Sequence, residues 1–144
     1  MKKTDLHNCH NNNKTNLYIF KNNSLTFNSP GDNIYVGLAT AVSAAETGSV
    51  TEASFGGYAR QNVTAANWTT IGADSTDTQT AKNTNAIDFP AKTDSGTQTI
   101  THVIITDASS SGNTLFVGEL DATKTLAEGD IFRINATNLS IELK

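Results

Sequence analysis

The last third of the chain, residues 97–143, is an almost continuous series of strand patterns separated by turns. Residues 97–106 are β-branched at most positions, and a second apolar run, residues 113–120, follows a serine-rich turn. Apolar and polar residues alternate in the final segment, which reads Leu139, Ser140, Ile141, Glu142 and Leu143. A period of two is typical of a strand with one face on a core and the other in water. This region therefore predicts β-structure.

The composition supports the same class. Only 17% of the 144 residues are charged, against roughly 25% in an average globular domain. Threonine is plentiful and favours strands, because its branched Cβ packs well on a pleated surface. Asparagine is also plentiful and favours turns. A chain of this length forms a single domain by default, and helix-forming residues are sparse, so the composition predicts an all-β domain.

Turn signals divide this domain into short strands. We predict strands over residues 34–38, 58–64, 86–89, 97–106, 113–120, 130–135 and 138–143. The alanine-rich residues 39–46 are compatible with a short helix. Because no amphipathic helical pattern separates the strands, the sequence favours two packed antiparallel sheets over a parallel α/β fold. The predicted fold is an antiparallel β-sandwich, jelly-roll-like, over residues 33–144.

Residues 1–32 differ in composition from the rest of the chain and are predicted to form an extended N-terminal arm. Polar, asparagine-rich sequence buries too little apolar area to offset the entropy of ordering, so we expect a partner to order it. Its apolar run consists of Leu17, Tyr18, Ile19 and Phe20. This run could add a strand to a sheet, or it could pack on a neighbouring subunit. Residues 29–32, Ser-Pro-Gly-Asp, predict a turn before the domain.

Charge and hydropathy exclude several classes of partner. The net charge is −4, and Arg60 and Arg133 stand apart from other basic residues, so the clustered positive charge that binds nucleic acid is missing. No apolar run approaches the roughly 18 residues of a membrane span. The single cysteine excludes an intrachain disulfide. Polar residues follow Lys2 and Lys3, so we expect no secretory signal peptide.

No metal or cofactor site is expected. His7, Cys9 and His10 lie together, but zinc takes about four ligands and no second cluster completes the set. Two acidic groups could supply oxygen ligands to calcium, although neither has the spacing of a dedicated loop. Acidic residues are also ordinary in turns. These groups are Asp74, Asp77 and Asp88, and Asp121, Glu128 and Asp130.

No catalytic residues are expected either. His102 lies among β-branched residues, where a histidine is usually a satisfied core or interface residue. A general base would also need an orienting carboxylate and a nucleophile, and no such set is visible. The sequence contains no glycine-rich phosphate loop and no nucleophile elbow. A hydrolase is therefore the weakest class.

Two aromatic residues could stack on sugar rings in a carbohydrate-binding module. We predict that Trp68 fills the core, since aromatic side chains contribute most through burial. For Tyr58 the sequence leaves both roles open. Tyr58 and the apolar run of residues 17–20 are the candidate interaction residues.

From residue 34 onward the chain resembles a family of small bacteriophage virion proteins, the tail-fibre or minor structural proteins. The resemblance rests on segments in a consistent order at residues 34–38, 56–61, 86–90, 100–107, 112–120, 124–130 and 139–143. It implies a β-sandwich, present in many copies on the particle, with no catalytic residues. Residues 1–32 show no match to this family.

The resemblance and the residue chemistry together predict a virion structural protein. The favoured hypothesis is a capsid decoration (cement) protein that binds the head lattice, because a fibre normally needs a long shaft. The alternatives are a tail-tip or tail-fibre-associated domain that contacts the host, and the carbohydrate-binding module. The expected partners are other virion proteins, either the major capsid protein or tail proteins, and further copies of the chain in a trimer or dimer.

Overall fold

The computed structural model describes residues 33–44, 49–69 and 79–143. Nine strands and, within these ranges, one short 3-10 helix, Ala65–Asn67, form the domain. The strands are β1 Asn33–Ala44, β2 Ser49–Glu52, β3 Gln61–Thr64, β4 Gln79–Lys82, β5 Ile87–Asp88, β6 Gln98–Thr106, β7 Thr114–Leu126, β8 Arg133–Ile134 and β9 Ser140–Leu143. The predicted all-β class is confirmed.

A five-stranded antiparallel sheet is built around β1. Strand β6 pairs with one edge of β1, and β7 pairs with the far side of β6. The opposite edge of β1 carries two short strands in succession: β3 pairs with residues 33–36 and β2 with residues 39–44. Among the strands that the structure describes, β1 is therefore the only one of this sheet with three partners.

Strands β6 and β7 pair through a large bulge. His102 lies opposite Glu119, and Ile100 lies opposite Lys124. Four residues of β7, 120–123, therefore face the single residue Thr101. A bulge bends its strand and interrupts the ladder, so residues 120–123 divide β7 into two halves. A second register shift lies in the first half, where Ile105 is opposite Phe116 and Thr106 is opposite Thr114.

Two small antiparallel sheets, β4–β9 and β5–β8, complete the domain. Backbone bonds extend both pairings, since Asn83 N donates to Leu139 O next to the β4–β9 pair and Phe89 N donates to Phe132 O next to the β5–β8 pair. The chain from β4 to β5 thus runs antiparallel to the chain from β8 to β9. Trp68 adds an isolated bridge to Asn83.

One hydrophobic core joins all three sheets. Val36, Leu38, Ile100 and Leu126 from the large sheet are fully buried, and Phe89 beside the small sheets is 2% exposed. Burial of each large apolar side chain stabilises the fold by about 1.5–3 kcal/mol. The antiparallel arrangement around one core agrees with the predicted class, while the jelly-roll-like connectivity stays a prediction. The predicted arm, residues 1–32, lies outside the described residues.

The expected helix over residues 39–46 is wrong as far as the structure describes it. Residues 39–44 continue β1, and Ala39 pairs with Glu52 on one side and His102 on the other. Ala39 is fully buried between these neighbours. Pairing on both edges therefore overrides the weak helix preference of alanine. Residues 45 and 46 lie outside the described residues.

A buried amide fixes the link between the small sheets. Asn83 is fully buried, and its Nδ2 donates to the carbonyl oxygens of Asn85, at 2.7 Å, and Asn135, at 2.9 Å. Its Oδ1 accepts from Leu139 N at 2.9 Å, and its carbonyl accepts from Thr137 N. All three side-chain bonds are made, as expected for a satisfied buried polar group. Two of them, to Asn135 O and from Leu139 N, join segments 52 and 56 residues apart in sequence.

We predict that Asn83→Ala lowers the free energy of unfolding by about 2–3 kcal/mol, because it leaves buried backbone groups without partners. Urea denaturation followed by circular dichroism measures this loss. Asn85→Ala is the matched control. Asn85 is exposed and makes one side-chain bond, to Asn67 Oδ1, so its loss should stay near or below about 0.5 kcal/mol. Equal losses would contradict the role of Asn83.

Candidate functional site

The structure places one of the five predicted interaction residues. Leu17, Tyr18, Ile19 and Phe20 lie outside the described residues. Tyr58 lies beside the large sheet, half-buried against its core. Around it is a group of bonded polar side chains consisting of Glu52, Tyr58 and Arg60, which we call the edge cluster.

Tyr58 fills a break in the sheet. Strand β3 pairs with β1 only as far as Val36, and the pairing of β2 with β1 starts at Ala39. In the gap, Leu38 N donates to the Tyr58 hydroxyl oxygen at 2.9 Å, and Ala53 N donates to Leu38 O at 2.8 Å. The hydroxyl oxygen therefore accepts the hydrogen bond that the Leu38 N–H would otherwise donate to a neighbouring strand.

The Tyr58 ring packs against two core aromatics. It meets Phe55 edge-on, with ring centroids 5.3 Å apart, and lies parallel to Phe89 at 6.3 Å. Both contacts have the geometry that aromatic pairs prefer. Gly37 allows this approach, because a Cβ there would lie 2.9 Å from the Tyr58 hydroxyl and 2.9 Å from Ile104 Cγ1. The role of Tyr58 as a partner contact stays a prediction.

Arg60 is the centre of the edge cluster. Its side chain is 9% exposed, and its Nε and Nη2 each donate to Glu52 at 2.7 Å in a bidentate pair. Its Nη1 donates to Thr106 Oγ1 and to two loop carbonyls, those of Ala108 at 2.8 Å and Ser111 at 2.6 Å. Charge-assisted bonds of this kind are the strong ones. Arg60 therefore fastens the β6–β7 loop to the edge of the sheet.

The loop itself, residues 107–113, has a defined conformation. The carboxylate of Asp107 accepts from Asn113 N at 2.7 Å and from Asn113 Nδ2 at 2.8 Å. Ser111 and Gly112 both have positive φ, 54° and 73°. A Cβ on Gly112 would lie 2.7 Å from the Cβ of Ala108, so glycine is needed at this position. Arg60 holds Ser111 in the conformation that non-glycine residues rarely adopt.

Electrostatics keep the edge cluster in one protonation state. Burial raises the pKa of Glu52, but hydrogen bonds from Arg60 and Tyr58 and the Arg60 charge outweigh it and hold that pKa below its ordinary value. The bond to Glu52 raises the pKa of Arg60 further. Burial, and then the bond to Glu52, raises the pKa of Tyr58 well above its ordinary value. Near neutral pH the cluster is thus a carboxylate, a phenol and a guanidinium, arranged to position backbone.

Lys92 makes a second internal tie. It is 2% exposed, and its Nζ donates to Asp94 Oδ1 at 2.8 Å and to the carbonyl oxygens of Asp94 and Ser95. Asp94 Oδ1 also accepts from Gly56 N at 2.7 Å. The hydrogen bond from Lys92 is the main cause of the lowered pKa of Asp94. Lys92 therefore joins the loop before β6 to the turn that follows β2.

The other candidate residues have separate local partners. His102 Nδ1 lies 2.7 Å from Thr101 Oγ1. Asp88 forms an exposed ion pair with Arg133, and Asp130 Oδ2 accepts from Ala127 N. Among residues 33–44, 49–69 and 79–143, no group of three or more His, Cys, Asp or Glu side chains could hold a metal ion. His7, Cys9, His10, Asp74 and Asp77 lie outside those ranges.

Trp68 belongs to the core. Its side chain is 6% exposed and packs within the main hydrophobic cluster, which confirms the prediction of a core role. A sugar-stacking platform requires an exposed ring face, so Trp68 does not supply one. Separately, none of the helices in the described part of the chain has the length and apolar character needed to cross a membrane.

Sequence reasoning missed the partners of the edge cluster. Glu52 and Arg60 are eight residues apart, but Arg60 contacts Ala108 and Ser111, which are 48 and 51 residues away. Nothing in a strand pattern indicates contacts at that separation. One signal was available in the sequence: Arg60 stands apart from other basic residues in a chain with few charges. An arginine outside a basic patch is expected to have another role.

Comparison with known proteins identifies a family to which the chain is similar. A family model described as Podophage GP4 fiber I protein gp80 matches residues 7–142. The match covers nearly the whole chain, including all of β1 to β8. No curated protein matches the chain.

We predict that the edge cluster stabilises the fold only while Glu52 is ionised. Because its folded pKa is lowered, its contribution is complete above the unfolded pKa of about 4.3 and is lost as pH falls through the folded pKa. Glu52→Gln should cost about 1–3 kcal/mol near pH 7, and the difference from the natural chain should shrink below about pH 4. Urea denaturation from pH 3 to 7 measures both.

Asp88→Asn is the matched control, because it removes a carboxylate from a fully exposed pair with Arg133. Exposed pairs contribute little, so its stability should follow that of the natural chain across the pH range. A Glu52→Gln variant as stable as the natural chain at pH 7 would contradict the role of the cluster.

Proposed function

We propose, from the premise that the chain belongs to the Podophage GP4 fiber I protein gp80 family, that it is a structural subunit of the tail-fibre assembly of a podophage. The family makes it a fibre-type virion structural protein. The observation that carries the proposal is the match over residues 7–142, because it includes the β domain and most of the segment before it.

The fibre role displaces capsid decoration as the favoured hypothesis. The sequence favoured capsid decoration because the chain is short. A short chain limits only the length that one copy can span. A domain of this size can serve a fibre as one of several associated units. Because the family description names a fibre, we propose that the chain lies at the tail. We also propose that it binds other tail proteins and further copies of itself, as a dimer or trimer.

We further propose that the protein binds and does not catalyse. Several of the charged side chains that the structure describes are held in internal bonds that position loops. Arg60 and Glu52 satisfy one another, and Lys92 is enclosed by Asp94 and Ser95. Such bonds make a stiff unit with fixed loops, which suits a part that must hold its shape under load. Residues 17–20 and Tyr58 remain the proposed contact residues.

Immunogold electron microscopy of intact particles tests this location. An antibody raised against the β domain should label the tail and leave the head lattice unlabelled, because the fibre assembly attaches at the tail. Antibody absorbed with the purified chain is the control and should label nothing. Regular labelling of the head lattice would contradict the fibre role and would support capsid decoration in its place.

A further inference from the structure

Two parts of the fold share one carboxylate oxygen. Glu52 Oε1 accepts from the Tyr58 hydroxyl at 2.7 Å and from Arg60 Nε at 2.7 Å. The hydroxyl has one proton, and a second acceptor, Leu38 O, lies 3.5 Å from it. The shorter bond to the charged oxygen aims this proton at Glu52, so the hydroxyl oxygen accepts from Leu38 N. Glu52 therefore orients both the group that closes the gap at Leu38 and the guanidinium of Arg60.

The far side of the same guanidinium holds the β6–β7 loop. Its Nη1 donates to the carbonyl oxygens of Ala108 and Ser111, and to Thr106 Oγ1 at the start of the loop, at 3.2 Å. The donors of a guanidinium lie in one rigid plane. Because the bidentate bond to Glu52 fixes the tilt of that plane, it also fixes the direction of Nη1. The position of the loop therefore depends on Glu52.

The loop keeps its shape by bonds of its own. Asp107 N donates to Asn113 O at 3.2 Å, and the Asp107 carboxylate accepts from Asn113 N and Nδ2. These bonds close the loop at its base. Residues 109–113 are all exposed, so burial against the core contributes little to holding them in place. Arg60 thus adds position to a loop whose shape is already set, and loss of its planar contacts should release the loop as a body.

We propose that the position of the β6–β7 loop and the closure of the gap at Leu38 are energetically coupled through Glu52 and Arg60. Thr106, at the start of the loop, pairs with Tyr35, three residues before Leu38 in β1, so the coupling acts over about 10 Å. Release of the loop loosens the gap, and opening of the gap loosens the loop, because a coupling free energy is reciprocal. A contact that fixes the loop therefore also holds the gap closed. This coupling is a property of the domain, wherever the protein lies on the particle.

Nuclear magnetic resonance of the full-length chain tests the coupling with Arg60→Lys, which keeps the charge and removes the planar fork. Backbone order parameters of residues 109–112 should fall from about 0.85 to below about 0.6, the change from a rigid to a flexible backbone. Amide exchange at Leu38 should become roughly threefold or more faster, because the gap opens more often.

Arg133→Lys is the matched control, since it makes the same substitution in the exposed pair with Asp88. It should alter neither the loop nor Leu38. Amide exchange at residues 103–105 reports the β6 ladder between the loop and the strand position opposite Leu38, and it should stay as in the natural chain in every variant. Acceleration there equal to that at Leu38 would show global unfolding and would overturn the proposal.

Tyr58→Phe tests the reverse direction and is a second variant that keeps the aromatic packing. Order parameters of residues 109–112 should fall in this variant too, although the lost hydroxyl belongs to the gap. In the Tyr58→Phe background, Arg60→Lys should cause no further change at Leu38, because the hydroxyl that carries the coupling is gone. Unchanged exchange at Leu38 in Arg60→Lys alone, or the same acceleration in both backgrounds, would overturn the coupling.

Discussion

The hydrogen bond from Leu38 N to the Tyr58 hydroxyl closes a gap in the pairing of the large sheet. Strand β1 pairs with three strands, and two of them, β3 and β2, leave a gap between Val36 and Ala39. Leu38 lies in this gap, within the core. A buried N–H without a partner costs about 1–3 kcal/mol, so the hydroxyl makes an interrupted edge possible. Glu52 then fixes the hydroxyl, accepting from it at 2.7 Å.

Two nearly buried cations in the described part of the chain, Arg60 and Lys92, are also used internally. Arg60 connects Glu52, beside the gap, to the loop between β6 and β7. Lys92 connects the loop before β6 to the turn after β2. Both ties fix loops by bonds to backbone carbonyls, and both depend on a cation that is nearly buried. These two ties stiffen the domain without requiring a larger hydrophobic core. A chain of 144 residues could not supply a larger core.

The sequence predicted local patterns well and long-range pairing poorly. The alternation of Leu139 and Ile141 predicted a half-buried strand, and both side chains are buried in β9 and just before it. The helix prediction was wrong over residues 39–44 because alanine has only a weak helix preference. The strands paired on both sides of Ala39 decide its conformation. The extension of β7 to Leu126 was missed because residues 121–125 do not alternate between apolar and polar side chains, although residues 98–100 pair with this half of β7. The family resemblance from residue 34 onward is confirmed. The expectation that residues 1–32 show no match is wrong, because the family match begins at residue 7.

The most direct test of this account is amide hydrogen exchange at Leu38 in the natural chain and in Tyr58→Phe, resolved by nuclear magnetic resonance. The account predicts that Leu38 exchanges slowly in the natural chain and roughly tenfold or more faster without the hydroxyl. The neighbouring amide of Ala53, which donates to Leu38 O, should change much less. Equal exchange at Leu38 in the two proteins would show that the hydroxyl does not complete the sheet, and would contradict the account.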